Sequence, residues 1–255
     1  MGGANGEDIE ALLGMNGLQD LLVEKTSVIG EKLSVRRFKK LNGEVIASYI
    51  HAGGKIGVLV SGTGAGAEDV YKDIAMQIAA MNPQYISNSD ISAEELAKLR
   101  EITVESALHD ATTLPKPILQ KLLDKAMNGV WDQKDVQAFE ENKHNMNYVW
   151  NFVSDEAKTQ LGDLAIADKA SIVGEKMFTG LVDGRVSKQL KEICLLDQVY
   201  VKAEDGKQSV AAYLAEQSKK LGAQLGIKEF VRFETGEGLE KREENFAEEV
   251  AKQMQ

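Results

Sequence analysis

Hydrophobic and polar positions alternate with two different periods along this chain. Val45 to Tyr49 and Lys55 to Val60 carry the β-branched, alternating pattern of strands, and Ala52-Gly53-Gly54 between them predicts a tight turn. Val70, Ile74, Ala75 and Ile78 then recur at helical spacing, which predicts a helix over Ala67 to Met81 stopped by Asn82-Pro83. Upstream, Leu18, Leu21, Leu22 and Val28-Ile29 form one helical face ending at Gly30. Leu33 to Phe38 reads as a further strand, and Asn42-Gly43 as a hairpin signal that joins it to the next two in an antiparallel meander. A late strand, Ile227 to Glu234, is expected at the edge of this sheet, with the Ala67–Met81 helix over one face.

The middle of the chain has the helical period. Ser92 and Glu95 make a capping box, opening a helix to about His109. Pro115 and Pro117 permit a second start, and Ile118, Leu119, Leu122, Leu123 and Ala126 continue an apolar face to Gly129. A long helical stretch from about Ala167 to Leu196 is expected to break near Gly180 and Gly184. A charged helix closes the chain, with Leu239, Phe246 and Val250 on a narrow face. The expected fold is α+β: a small antiparallel sheet packed with helices, a long inserted helical, coiled-coil-like arm, and a C-terminal helix. The expected divisions are a linker helix at 1–30, a core at 31–91, the inserted arm at 92–191, a return to the core at 192–237 and a C-terminal module at 238–255.

Composition narrows the function. The 255 residues are 43% hydrophobic and 27% charged, which suits one or two ordinary cores. The net charge of −10 supplies no basic footprint for phosphates, so direct nucleic-acid binding is not expected. No apolar run approaches the roughly 18–20 residues of a membrane span. The N-terminal residues lack a signal pattern, and one cysteine, Cys194, forms no internal disulfide, so a cytoplasmic or organelle-matrix location is expected.

Other chemistry finds little support. Ser61 to Asp69, SGTGAGAED, follows a strand and opens a helix as a phosphate loop would, but no Lys-Ser/Thr follows. Glu68-Asp69 also place negative charge where a phosphate would sit. His51, His109 and His144 have no metal-ligand spacing, so no metal or cofactor is expected. Cys194, inside EICLL, reads as a buried inert thiol. Trp131, Tyr148, Trp150 and Phe152 read equally as core packing or as interface anchors.

Several segments, in order, resemble elongation factor Ts, the nucleotide-exchange factor of elongation factor Tu: EKTSVIGEKLSVRRF, SYIHAGGKIGVLV, DIAMQIAAMNPQYI, GRVSKQLKEICLLDQVYV and VRFETGEGLEKREENFAEEVAKQ. The resemblance covers most of Leu22 to Gln253; residues 111–170 look like an extension of the family's helical dimerisation arm, and Gln189 stands where an aromatic residue is expected. It implies a protein that is not an enzyme, that binds elongation factor Tu·GDP and promotes GDP release, and that forms a homodimer through the arm. It also implies that Ile29, Gly30, His51 and Val201 contact the partner. By residue type alone Ile29 reads as core, Gly30 as a helix cap, Val201 as sheet core and His51 as a solvated turn residue. Neither the family's N-terminal RxxTGAGMMDCKKAL pattern nor its TDFV element occurs in this sequence. The second of these reaches the partner's nucleotide site in the family, so the alternative expectation is an exchange-deficient binding module.

Overall fold

The computed structural model describes residues 8–238. In chain order these form α1 (Ile9–Leu13), α2 (Leu18–Ile29), β1 (Val45–His51), β2 (Ile56–Thr63), α3 (Glu68–Met81), α4 (Ala93–His109), α5 (Lys116–Met127), α6 (Gln133–Asn142), α7 (Asp155–Ala167), α8 (Lys169–Ile172), α9 (Lys176–Ile193), α10 (Val210–Leu221) and β3 (Gly226–Glu234). The fold is α+β. The chain divides into two compact units: one runs up to Asn82 and resumes at Val199, and the other is Pro83–Gln198. The helix expected over the last residues, from Leu239, lies outside the described residues.

The first unit holds an antiparallel sheet in the order β1-β2-β3. The hairpin forms where the alternation predicts it, and the late strand pairs with β2 at the edge. Its turn needs left-handed backbone at Ala52, Gly53 and Gly54, which the two glycines adopt without steric penalty. Alternation places Val45 and Ala47 of β1 and Val58 and Val60 of β2 on one buried face. The apolar stripe of α3, with Tyr71, Ile74, Ala75 and Ile78 fully buried, covers that face. Burying each of those isoleucines contributes about 1.5–3 kcal/mol relative to exposure. Asn82 ends α3 in the left-handed region, its N–H donating to Ile78 O, and Pro83 follows.

Leu33 to Phe38 is not a strand. Side chains, rather than a backbone ladder, tie this irregular segment and the residues after it to β3 and the turn that follows it. The Arg37 guanidinium lies 4.4 Å from the Phe233 ring centroid and pairs with Glu237 at 2.8 Å. Lys39 pairs with Glu229 at 2.9 Å. Asn42-Gly43 accordingly makes no hairpin; Glu44 N–H donates to Gly62 O instead, at 3.1 Å.

The second unit is helical around one cluster of buried side chains that includes Leu108, Ile118, Leu122, Leu161, Phe178 and Val182. The Ser92 capping box forms: Glu95 N–H donates to Ser92 Oγ at 3.1 Å, and Ser92 N–H to Glu95 Oε2 at 2.9 Å. Gly162 lets α7 pass close to α4, since a Cβ there would lie 2.6 Å from His109 O. The break expected near Gly180 and Gly184 does not occur; α9 runs through both, and the interruption falls earlier, at Gly174. A glycine inside a helix costs about 1 kcal/mol. Burial of Phe178, Val182 and Val186 along one face of α9 outweighs it.

Candidate partner-binding site

The residues singled out at positions 29, 30, 51 and 201 all belong to the first unit and are all exposed. Helix α2 buries none of its side chains, and Val28 and Ile29 are 75% and 57% exposed. Ile29 is therefore not a core residue. Gly30 does cap the helix: at φ +80° its N–H donates to Thr26 O at 2.9 Å. Ile29 and Gly30 together form an apolar helix end in solvent.

His51 closes β1 beside the turn. Tyr49, two residues back, stands on the same side of the strand, and its hydroxyl lies 3.1 Å from His51 Nδ1. The two ring centroids are 5.8 Å apart.

Val201 is 45% exposed and is not sheet core. Its backbone is held from beneath by a residue that sequence reasoning missed. Gln77 of α3 is fully buried; its Oε1 accepts from Val201 N–H at 2.8 Å and its Nε2 donates to Val199 O at 3.1 Å. On the other side of the segment, Tyr200 N–H donates to Gln208 O at 2.8 Å. One turn before Gln77, Asp73 accepts from Tyr200 Oη at 2.9 Å, Tyr213 Oη at 3.0 Å and Lys202 Nζ at 2.6 Å. Burial works to raise the Asp73 carboxyl, but the hydrogen bonds from Lys202, Tyr200 and Tyr213 outweigh it and hold the carboxyl below its usual range. The one signal in the sequence for this anchor is a glutamine between Ile74 and Ile78 in an otherwise apolar stripe. No hydrogen bond or ring contact among the described residues joins the four singled-out positions to one another.

The glycine loop after β2 is occupied by the chain itself. Gly64 N–H donates to Glu44 Oε2 at 2.9 Å, so a carboxylate already takes the amide a phosphate would need. Gly64 and Gly66 adopt φ of +96° and +85°, and a Cβ on Gly64 would collide with Leu225. In the second unit, Cys194 is buried with its Sγ 3.1 Å from Asn88 Oδ1. Burial pushes its thiol up, with Asp197 and Asp90 adding to the effect. The aromatics there divide: Trp131 packs in the core against Phe139, which meets Trp150, while Tyr148 and Phe152 are 61% and 56% exposed. Among the described residues, no three His, Cys, Asp or Glu side chains gather to hold a metal ion, and no helix is long and apolar enough to cross a membrane.

Residues 4–237 match the family described as Elongation factor TS. Elongation factor Ts of Clostridioides difficile (strain 630) is 38% identical over 259 aligned positions, covering 97% of this chain and 64% of that protein. The protein of the same name from Clostridium perfringens (strain 13 / Type A) is 36% identical, covering 95% of this chain and 61% of its own length. That of Clostridium acetobutylicum is 35% identical, covering 99% and 66%. The chain thus spans less than two thirds of the length of these relatives.

Proposed function

This chain belongs to the elongation factor Ts family, and from that membership we propose that it binds elongation factor Tu·GDP and promotes release of the GDP, after which GTP reloads the partner. Its action is binding and not enzymatic catalysis, since no bond of the nucleotide is broken. A factor that weakens the partner's hold on GDP by some ratio must have its own affinity weakened by GDP in the same ratio. The observation that carries the reading is the family match over residues 4–237, together with the exposure of all four motif-matched positions, Ile29, Gly30, His51 and Val201. The acidic charge suits a protein partner better than nucleic acid. The setting would be the cytoplasm.

The test is release of a fluorescent GDP analogue from elongation factor Tu with and without this chain. Acceleration well above spontaneous release is expected. A detectable complex without acceleration would identify a binding module without exchange activity, and the absence of a complex would overturn the reading. We also propose that copies associate through the helical unit, where Leu96 and Ile102 of α4 are 41% and 55% exposed. Sedimentation of the wild type against a Leu96→Glu/Ile102→Glu variant checks this, with a fall in apparent mass expected.

A further inference from the structure

We propose that Gln77 is a positioning residue for the partner contact at Val201, acting as a surrogate strand beneath residues 199–202; this rests on the reading that the chain binds elongation factor Tu. In a parallel ladder, one residue accepts from the N–H and donates to the C=O of two residues that flank its opposite number. The Gln77 side-chain amide does the same with Val201 N–H and Val199 O.

The rest of the segment is pegged to the same helix. Tyr200 Oη and Lys202 Nζ both donate to Asp73, which lies four residues before Gln77 and so on the same face of α3. Residues 199, 200, 201 and 202 are thus each attached to α3, two through the backbone and two through side chains. What these attachments leave free is the side chains of Val199 and Val201, 47% and 45% exposed.

Core packing does not account for this arrangement. An apolar residue at position 77 would suit the stripe between Ile74 and Ile78, whereas a buried amide is tolerated only when its hydrogen bonds are made. Here those bonds fix a backbone whose valines point to solvent. Apolar side chains held rigidly at a surface lose little conformational freedom when a partner covers them, and that favours binding.

The test uses Gln77→Met, which keeps an unbranched side chain of similar volume. Two readouts are taken: exchange of the Val201 backbone amide, and affinity for elongation factor Tu·GDP. The Val201 amide should exchange at least about 10-fold faster while the amides of β2 stay protected. The complex should weaken by about 10-fold. The double variant Gln77→Met/Val201→Ala should bind no more weakly than Val201→Ala, because the first residue acts through the second. Additive losses, or faster exchange with unchanged affinity, would overturn the inference and leave the binding reading standing. If the wild type forms no complex, the binding reading falls and the inference with it. Should Gln77→Met not fold, Tyr200→Phe removes one peg and keeps the ring; a loss of about 3-fold in affinity is expected, and none would overturn the inference.

Discussion

The rings of Tyr200 and Tyr213 stack with centroids 4.1 Å apart and planes 17° from parallel, and both hydroxyls donate to the same Oδ2 of Asp73. This makes stability depend on pH at both ends of the scale. The Asp73 carboxyl is lowered from its usual 3.8 in the folded state. A lowered carboxyl contributes stability that is complete above its unfolded value and is lost as pH falls through the folded one. Urea unfolding of the wild type should therefore lose stability below about pH 5, and Asp73→Asn should flatten that limb. A wild-type limb no steeper than that of Asp73→Asn would count against the network.

At the alkaline end the sign reverses. Burial, and then hydrogen bonding, pushes the Tyr200 hydroxyl up, and burial raises Tyr213 to about 12. Groups raised above their unfolded value of 10.0 contribute stability that is complete below that value and lost as pH rises through the folded one. Stability should fall progressively above about pH 10, and Tyr200→Phe should reduce the fall.

Gly62 and Tyr71 make a second close pair. A Cβ on Gly62 would strike the Tyr71 hydroxyl and the ring carbons Cε1 and Cζ. The ring cannot retreat, because it is fully buried and its hydroxyl lies 2.7 Å from Thr63 O and 2.9 Å from Gly226 O. Gly62→Ala should cost about 1–3 kcal/mol by overpacking. Tyr71→Phe alone should cost about 1 kcal/mol for the lost hydrogen bond. It should not rescue Gly62→Ala, since the ring carbons remain; denaturant unfolding of the double variant measures this.

The pattern of the sequence located the periodic elements, the late strand β3 among them, and missed what depends on side chains distant in the chain. The β1–β2 hairpin and the Ser92 cap rest on a local turn and a local cap, the α3 stripe on its own helical period, and each formed. Leu33 to Phe38 has strand composition, but Arg37 and Lys39 reach β3 side chains about two hundred residues away, and the backbone follows them. Gly180 and Gly184 signal a break locally, and the burial of Phe178 and Val182 overrides it. Of the candidate site, the exposed positions were legible through motif resemblance. Their supports were not: Gln77 and Asp73 are ordinary helix residues until residues 199–202 fold over them.

Both tryptophans of the chain, Trp131 and Trp150, lie in the second unit, so tryptophan fluorescence reports that unit alone. The Trp131 indole N–H donates to Ala157 O at 2.8 Å, and its ring meets Phe139 edge-on at 5.8 Å. Trp131→Phe should lose that bond and leave space where the larger ring packs, costing about 1–3 kcal/mol. The transition followed by Trp150 fluorescence should shift to lower denaturant. Protection of the β1–β2 amides at low denaturant should be unchanged.

His51 offers the most direct probe of the proposed partner contact. It is exposed at the end of β1, and its one described ring contact and hydrogen bond are to Tyr49. Neither ties it into the core, so His51→Ala should leave stability within about 0.5 kcal/mol of the wild type. If the side chain meets elongation factor Tu, the same change should weaken the complex by about 1–2 kcal/mol, or roughly 5- to 30-fold. Tyr49→Phe keeps the imidazole and removes the hydroxyl beside Nδ1, so its effect should have the same direction and be smaller. Titration calorimetry of the three proteins against elongation factor Tu·GDP separates the outcomes. Equal affinities for the wild type and His51→Ala would remove His51 from the contact surface, whatever Tyr49→Phe does.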